Sequence, residues 1–232
     1  ECVACKAVRE ERARVIPRSG GTAAEERRQA RALEEARRMP FVEAPAIYTY
    51  NVPKWSTPLL RSRAFAKQAG QRLCWAFAHE VPLFSEDREL KEHELHKERC
   101  AWLERHDQET RHLASMLPLV KNLPVRLTDT INRSKKLYRG RRGRIIGWQL
   151  HPETEKEYDP GECILSRQPV TIFVKFQGAT WRIKDLEEGV YPLTQASRTW
   201  LVNKKTQIQA RRTGFFLIPD FAATAHMIQG QT

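Results

Sequence analysis

The chain has 232 residues, 41% of them hydrophobic, and a formal charge of +12 from 40 Lys and Arg against 28 Asp and Glu. That length can bury a sizeable core in one large or two small domains, and no apolar run approaches the ~20 residues that a bilayer span needs. The charge predicts a polyanionic partner, nucleic acid ahead of a membrane surface. The cysteines Cys2, Cys5, Cys74, Cys100 and Cys163 are odd in number and scattered. They argue against a disulfide framework and for an intracellular, reducing compartment, the nucleus or the mitochondrion. The first residues are cysteines and charge rather than an apolar core segment, so no secretory signal is expected. The chain does not begin with Met, which is expected of a domain taken from a longer polypeptide.

In chain order, residues 1–40 form a basic, helix-prone segment. Cys2-Val3-Ala4-Cys5 can supply half of a tetrahedral zinc site whose second pair would lie upstream, or two incidental thiols. Thr22 can cap a helix running to about Met39, with Glu25 and Glu26 in its first turn and Arg37 and Arg38 in its last. Ala46 to Thr49 suit a buried strand of a parallel sheet, Asn51 ends it, and a helix from about Thr57 to Gly70 follows. Arg72 to Ala78 reads as a second core strand. Residues 85–112 are dominated by charge, with a broken stripe of Leu90, Leu95, Trp102 and Leu103, and predict charged, exposed surface helices. His93, His96, Cys100, His106 and His112 lie there, and charge-rich helices collect histidine by chance more often than they bind metal.

Leu117 to Thr128 is a run of short apolar pieces with a turn at Asn122, a residue that tolerates left-handed backbone. From Lys121 to Gly147 the basic residues are Lys121, Arg126, Arg133, Lys135, Lys136, Arg139, Arg141, Arg142 and Arg144, offset by Asp129 alone. Glycines that bring the backbone close, with arginine forks beside them, make a track for a phosphate backbone with little base preference. His151 to Gly161 reads as an acidic loop, and Pro169 to Phe176 as a clear strand turned at Gln177-Gly178. Trp200 to Thr213 predicts a basic strand or hairpin.

The last stretch, Phe215 to Thr232, reads FFLIPDFAATAHMIQGQT. An apolar strand empties there into hydroxyl, imidazole, amide and glycine, groups that can face phosphate. Thr224, His226, Gln229, Gly230, Gln231 and Thr232 resemble the TxHxxQGQT signature of superfamily 1 helicases, in the group that joins the Pif and RecD helicases. Thr49, Asn51 and Lys54 resemble that family's T-x-N turn and its following basic residue. Leu117 to Thr128 resembles the family's entry into a small inserted barrel, with Asn122 for the family's Gly, and Leu137 to Trp148 resembles a tight turn between two barrel strands, with Arg139 for the family's Asn. Val174, Phe176, Leu186, Gly189 and Pro192 match the stretch that closes it.

The resemblance implies an α/β fold: a RecA-like, P-loop NTPase-type parallel sheet with an inserted small Src-homology-like β-barrel. The first part of this second RecA-like domain would occupy 41–116, the barrel 117–195 and the return to the domain 196–232. It implies ATP-driven 5′–3′ unwinding of DNA in repair or recombination, with single-stranded or fork DNA as the partner. Thr224, His226, Gln229, Gly230, Gln231 and Thr232, with Arg139, Arg141, Arg142 and Arg144, would hold the strand, while Thr49, Asn51 and Lys54 face nucleotide. ATP and Mg²⁺ would be bound mainly by a first RecA-like domain of the same polypeptide, because this chain has no G-x-x-x-x-G-K-[ST] loop. The chain alone is therefore expected neither to hydrolyse ATP nor to unwind DNA. Met227 and Ile228 stand where the family often has Lys-Ser. The other readings are a non-catalytic single-stranded nucleic-acid-binding module, such as a decayed helicase of a mobile element, and a zinc-supported interaction domain.

Overall fold

The computed structural model describes residues 46–48, 51–83, 101–103, 105, 107–159, 162–203 and 208–224. In order, the elements are β1 (Ala46–Tyr48), α1 (Asn51–Gln68), β2 (Leu73–Phe77), β3 (His79–Leu83), β4 (Met116–Leu119), β5 (Pro124–Leu127), β6 (Arg142–Gln149) and β7 (Lys156–Asp159). They continue with β8 (Glu162–Leu165), β9 (Thr171–Phe176), β10 (Val190–Thr194), β11 (Ala196–Asn203), β12 (Ile208–Gly214), β13 (Leu217–Pro219) and β14 (Ala222–Thr224). The result is a sheet-rich α/β structure in which parallel pairing, among the described residues, occurs between β1 and β14 and between β2 and β8.

The strands form four sheets. The largest has the order β10-β9-β6-β5-β13 and is antiparallel throughout. Its alternation is clearest in β9, where Ile172, Val174 and Phe176 are buried and Lys175 between them is exposed. Gly143 in β6 lies so close to β9 that a Cβ there would come within 2.7 Å of Val174 Cγ1 and 2.8 Å of the Lys175 carbonyl oxygen. The turn between β4 and β5 uses Asn122 at φ 68°, the left-handed backbone that asparagine tolerates. A second sheet, β4-β2-β8-β7, adds Trp75, Leu119, Cys163 and Leu165 to the same core.

The third sheet, β11-β12-β3, has its own small core of Trp102, Trp200, Val202, Ile208 and Ala210. Trp102 meets Trp200 edge-on at 5.9 Å. β12 carries an arginine in an inward slot: Arg212 is fully buried beside Glu80 of β3. It also donates to Thr110 Oγ1 (3.1 Å), the Leu113 carbonyl (3.1 Å) and the Trp102 carbonyl (2.7 Å). Burial lowers the Arg212 guanidinium from its usual value, and Glu80 opposes that effect.

Several expectations change. The helix begins at Asn51, six residues before the expected Thr57, because Pro53 falls in its first turn, where a missing N–H costs nothing. Trp102 and Leu103 are buried rather than part of an exposed face, held by the Arg212 and Trp200 contacts. The acidic segment 151–161 contains a strand, β7, which pairs with β8 at a sheet edge. The basic hairpin forms as expected from β11 and β12, but it joins β3 rather than a parallel sheet. The apolar run before Pro219 likewise becomes β13, an antiparallel partner of β5. The N-terminal helix and the CxxC of Cys2 and Cys5 lie outside the described residues, as do His93, His96, Cys100 and His106.

Candidate nucleic-acid interface

The site is organised by the parallel pair. β1 and β14 align Ala46 with Ala222, Ile47 with Ala223 and Tyr48 with Thr224. Both strands therefore end at the same edge, and the chain runs from each directly into one of the motif-bearing segments. Asn51 then opens α1, an 18-residue helix that packs on β1, β14 and β13. Its first turn holds no acidic residue, so nothing there offsets the positive end of the helix dipole. Carboxyl ends of parallel strands with a helix N-terminus alongside are where open α/β sheets bind ligands. Thr224 is the last residue of β14, and Asn51 and Lys54 lie in the first turn of α1. Thr49, His226, Gln229, Gly230, Gln231 and Thr232 lie outside the described residues.

The chain reaches β14 from a different sheet, through a switch of two residues, Asp220 and Phe221. That switch is clamped. The Asp220 N–H donates to the Pro124 carbonyl (2.9 Å), and the Ala46 N–H donates to the Phe221 carbonyl (2.9 Å). Arg61 of α1 donates to the same Phe221 carbonyl (2.9 Å) and lies over the Phe221 ring at 5.0 Å. Arg126 Nη2 lies 3.1 Å from Asp220 Oδ1 and donates to the Ala222 carbonyl at 2.6 Å. Arg142 Nε lies 2.7 Å from Asp220 Oδ2. Burial is the largest influence on the inner pair: it pushes the Asp220 carboxyl above 3.8 and the Arg126 guanidinium below its usual range, while their attraction pulls the other way.

Arg126 therefore does not belong to the basic surface that the sequence suggests. Its side chain is 2% exposed, because β5 points it inward at the switch. The arginines further along divide by environment. Arg139 is exposed. Arg141 donates to the Gln177 carbonyl, and Arg144 donates to the Asn122 carbonyl at 3.0 Å. Arg142 is 47% exposed and is shared between the surface and Asp220. Beside them a depression of about 500 Å³ is lined by Asn122, Arg144, Lys175, Gln177, Thr180 and Glu188 among others. Its charge is mixed, with Lys175 paired to Glu187 at 3.2 Å.

Arg142 thus connects the predicted basic track to the backbone that leads into Thr224. Asp220 and Arg61 escaped the sequence reading, and Arg126 was read there as part of the basic track. An acid set in an otherwise apolar run, Phe215 to Ala223, was the available signal for Asp220. Its partners lie far away in sequence and left none. Among the described residues no group of three or more His, Cys, Asp or Glu can hold a metal ion, and no helix is long and apolar enough to cross a membrane.

No family model matches the sequence, and no curated protein matches it. The structure is similar to solved Pif1 helicases. The Pif1 helicase of Candida albicans is 13% identical, with a TM-score of 0.46 over 89% of this chain and 46% of that one. A Bacteroides Pif1 bound to ssDNA is 15% identical, with a TM-score of 0.43 over 82% and 32%. A Bacteroides Pif1 in complex with ADP-AlF3 and ssDNA is 14% identical, with a TM-score of 0.43 over 98% and 40%. The chain spans less than half the length of each of these solved chains.

Proposed function

We propose that this chain is the second RecA-like lobe of an ATP-dependent 5′–3′ DNA helicase of the Pif and RecD type, working in an intracellular compartment. Residues 117–195 are its inserted small barrel, and the first RecA-like lobe, with the phosphate loop and the Mg²⁺ site, lies elsewhere in the same polypeptide. The observation that carries this reading is the register of Tyr48 against Thr224. It ends β1 and β14 at one edge, and a lobe in which a single site senses nucleotide and strand together needs the strands that precede Thr49 and His226 to end together.

In this reading Thr224, His226, Gln229, Gly230, Gln231 and Thr232 donate hydrogen bonds to strand phosphates. Arg139, Arg141, Arg142 and Arg144 extend the contact, and Thr49, Asn51 and Lys54 face the nucleotide. The clamp at Asp220 fixes the backbone at the entry to β14. The test is binding of a labelled oligothymidylate by the chain across a salt series. His226→Ala and Gln229→Ala should each weaken binding roughly tenfold, the effect of about 1.4 kcal/mol, with thermal unfolding unchanged. Wild-type affinity in both variants would overturn the assignment of the terminal segment. The chain alone should hydrolyse no ATP. Met227 and Ile228, in place of Lys-Ser, favour the second reading, a non-catalytic strand-binding module. DNA-stimulated ATP hydrolysis by the complete polypeptide rules that reading out, and its absence selects it.

A further inference from the structure

Residues 131–139 form a small knuckle beside the basic track. The Leu137 N–H donates to the Asn132 carbonyl at 2.8 Å, and the Ile131 N–H donates to the Leu137 carbonyl at 2.9 Å. Leu137 is fully buried and anchors the base of the knuckle. Lys135 lies with its ammonium 5.2 Å from the Trp181 ring, and the Trp181 indole N–H donates back to the Lys135 carbonyl at 3.1 Å. Trp181 is braced in turn by the edge contact with Tyr191. The knuckle is therefore held at both ends, and its outward groups are presented on a fixed frame.

Those outward groups are Arg133, Lys136, Tyr138 and Arg139. No acidic residue occurs between Asn132 and Arg144. The acid just before that stretch, Asp129, lies 3.7 Å from Arg198. Tyr138 is 49% exposed, with its hydroxyl 3.4 Å from the Arg133 carbonyl, so the ring lies back along the knuckle among the cations. A hydrophobic ring left half in water costs free energy that burial against another ring recovers. An aromatic face among cations fits one ligand chemistry above others: an unpaired base over the ring with its phosphates on the arginines and lysine. A duplex offers no free base face, so the surface selects a single strand.

We propose that Tyr138 is a base-stacking platform for single-stranded nucleic acid, with Arg133, Lys136 and Arg139 holding the phosphates on either side of the stacked base. This rests on the strand-binding role proposed above and adds to it a base contact outside the terminal motif.

The experiment uses the full chain, a labelled oligothymidylate and an abasic backbone of the same length. Tyr138→Ala should weaken oligothymidylate binding roughly tenfold, leave abasic binding unchanged, and keep the slope of log affinity against log salt. Tyr138→Phe should bind like the wild type, since it keeps the ring. Arg139→Gln should lower the slope by about 0.7, one single-strand phosphate contact. Wild-type affinity in Tyr138→Ala overturns the platform, as does an equal loss on the abasic probe or an equal loss on a blunt duplex. If Tyr138→Ala binds normally while His226→Ala is weak, this inference alone fails. If His226→Ala binds normally while Tyr138→Ala is weak, the terminal-motif reading fails and the platform stands. If no oligonucleotide binds, both fail.

Discussion

Glu80→Gln removes the charge that balances Arg212 and leaves the shape almost unchanged. Both side chains are within 2% of full burial, so the arginine keeps its charge in a region water does not reach. Two unit charges about 4 Å apart attract by about 4 kcal/mol at an effective dielectric of ~20. The neutral amide retains one hydrogen bond, worth about 1 kcal/mol, so the loss comes to about 3 kcal/mol. That agrees with the 3–5 kcal/mol typical of stripping one partner from a buried pair and is a large share of the roughly 5–15 kcal/mol that holds a domain together. Replacing both partners with apolar groups, Glu80→Leu with Arg212→Met, should cost less than the single change. The two carbonyls that Arg212 serves have second donors: the Arg105 N–H on Trp102 (3.2 Å) and Thr110 Oγ1 on Leu113 (2.7 Å). Urea unfolding of the wild type and the two variants measures this, with a shift of roughly 1 M in midpoint for the single change. A loss below about 1 kcal/mol for Glu80→Gln, set against the typical cost of a broken buried pair, would refute the reasoning. So would a double variant that loses at least as much as the single one.

The other predictions test the switch and the track. Gly143→Ala should cost about 1–3 kcal/mol in unfolding experiments, because its Cβ would meet Val174 Cγ1 and the Lys175 carbonyl; an unchanged midpoint would mean the strands part easily. Arg142→Gln should lower the salt slope of strand binding by less than Arg139→Gln does, since Asp220 already engages Arg142; equal slopes would show that the ion pair opens when the strand arrives. Burial raises the Asp220 carboxyl above 3.8, so the folded chain keeps this proton to higher pH than the unfolded chain. The stability that follows is complete below 3.8 and falls as pH rises through the folded value. Asp220→Asn cannot titrate and should flatten the pH dependence of urea stability from about 4 towards neutrality; a curve parallel to the wild type's would exclude this carboxyl as its source.

What the sequence determined by itself was local. Alternation in Thr171–Phe176 specified β9, because a period of two is a property of adjacent residues. Asn122 specified its own left-handed turn, and Gln177-Gly178 its reversal, with Gly178 at φ 61°. The terminal motif and the cluster of cations after Lys121 were readable as residue types. Partnership across the chain was not readable. An arginine looks the same in sequence whether it faces water or a carboxylate, so Arg126 passed for part of the basic track and the burial of Arg212 left no sign until β5 and β12 turned them inward. The apolar run Phe215–Ile218 satisfied a parallel strand and an antiparallel one equally well, and only its register against β5 chose between them. The tertiary structure also decided that β14, four residues further on, lies parallel to β1. That pairing ends two strands, far apart in the chain, at one edge, because hydrogen-bonded register is a relation between distant segments that no local pattern contains.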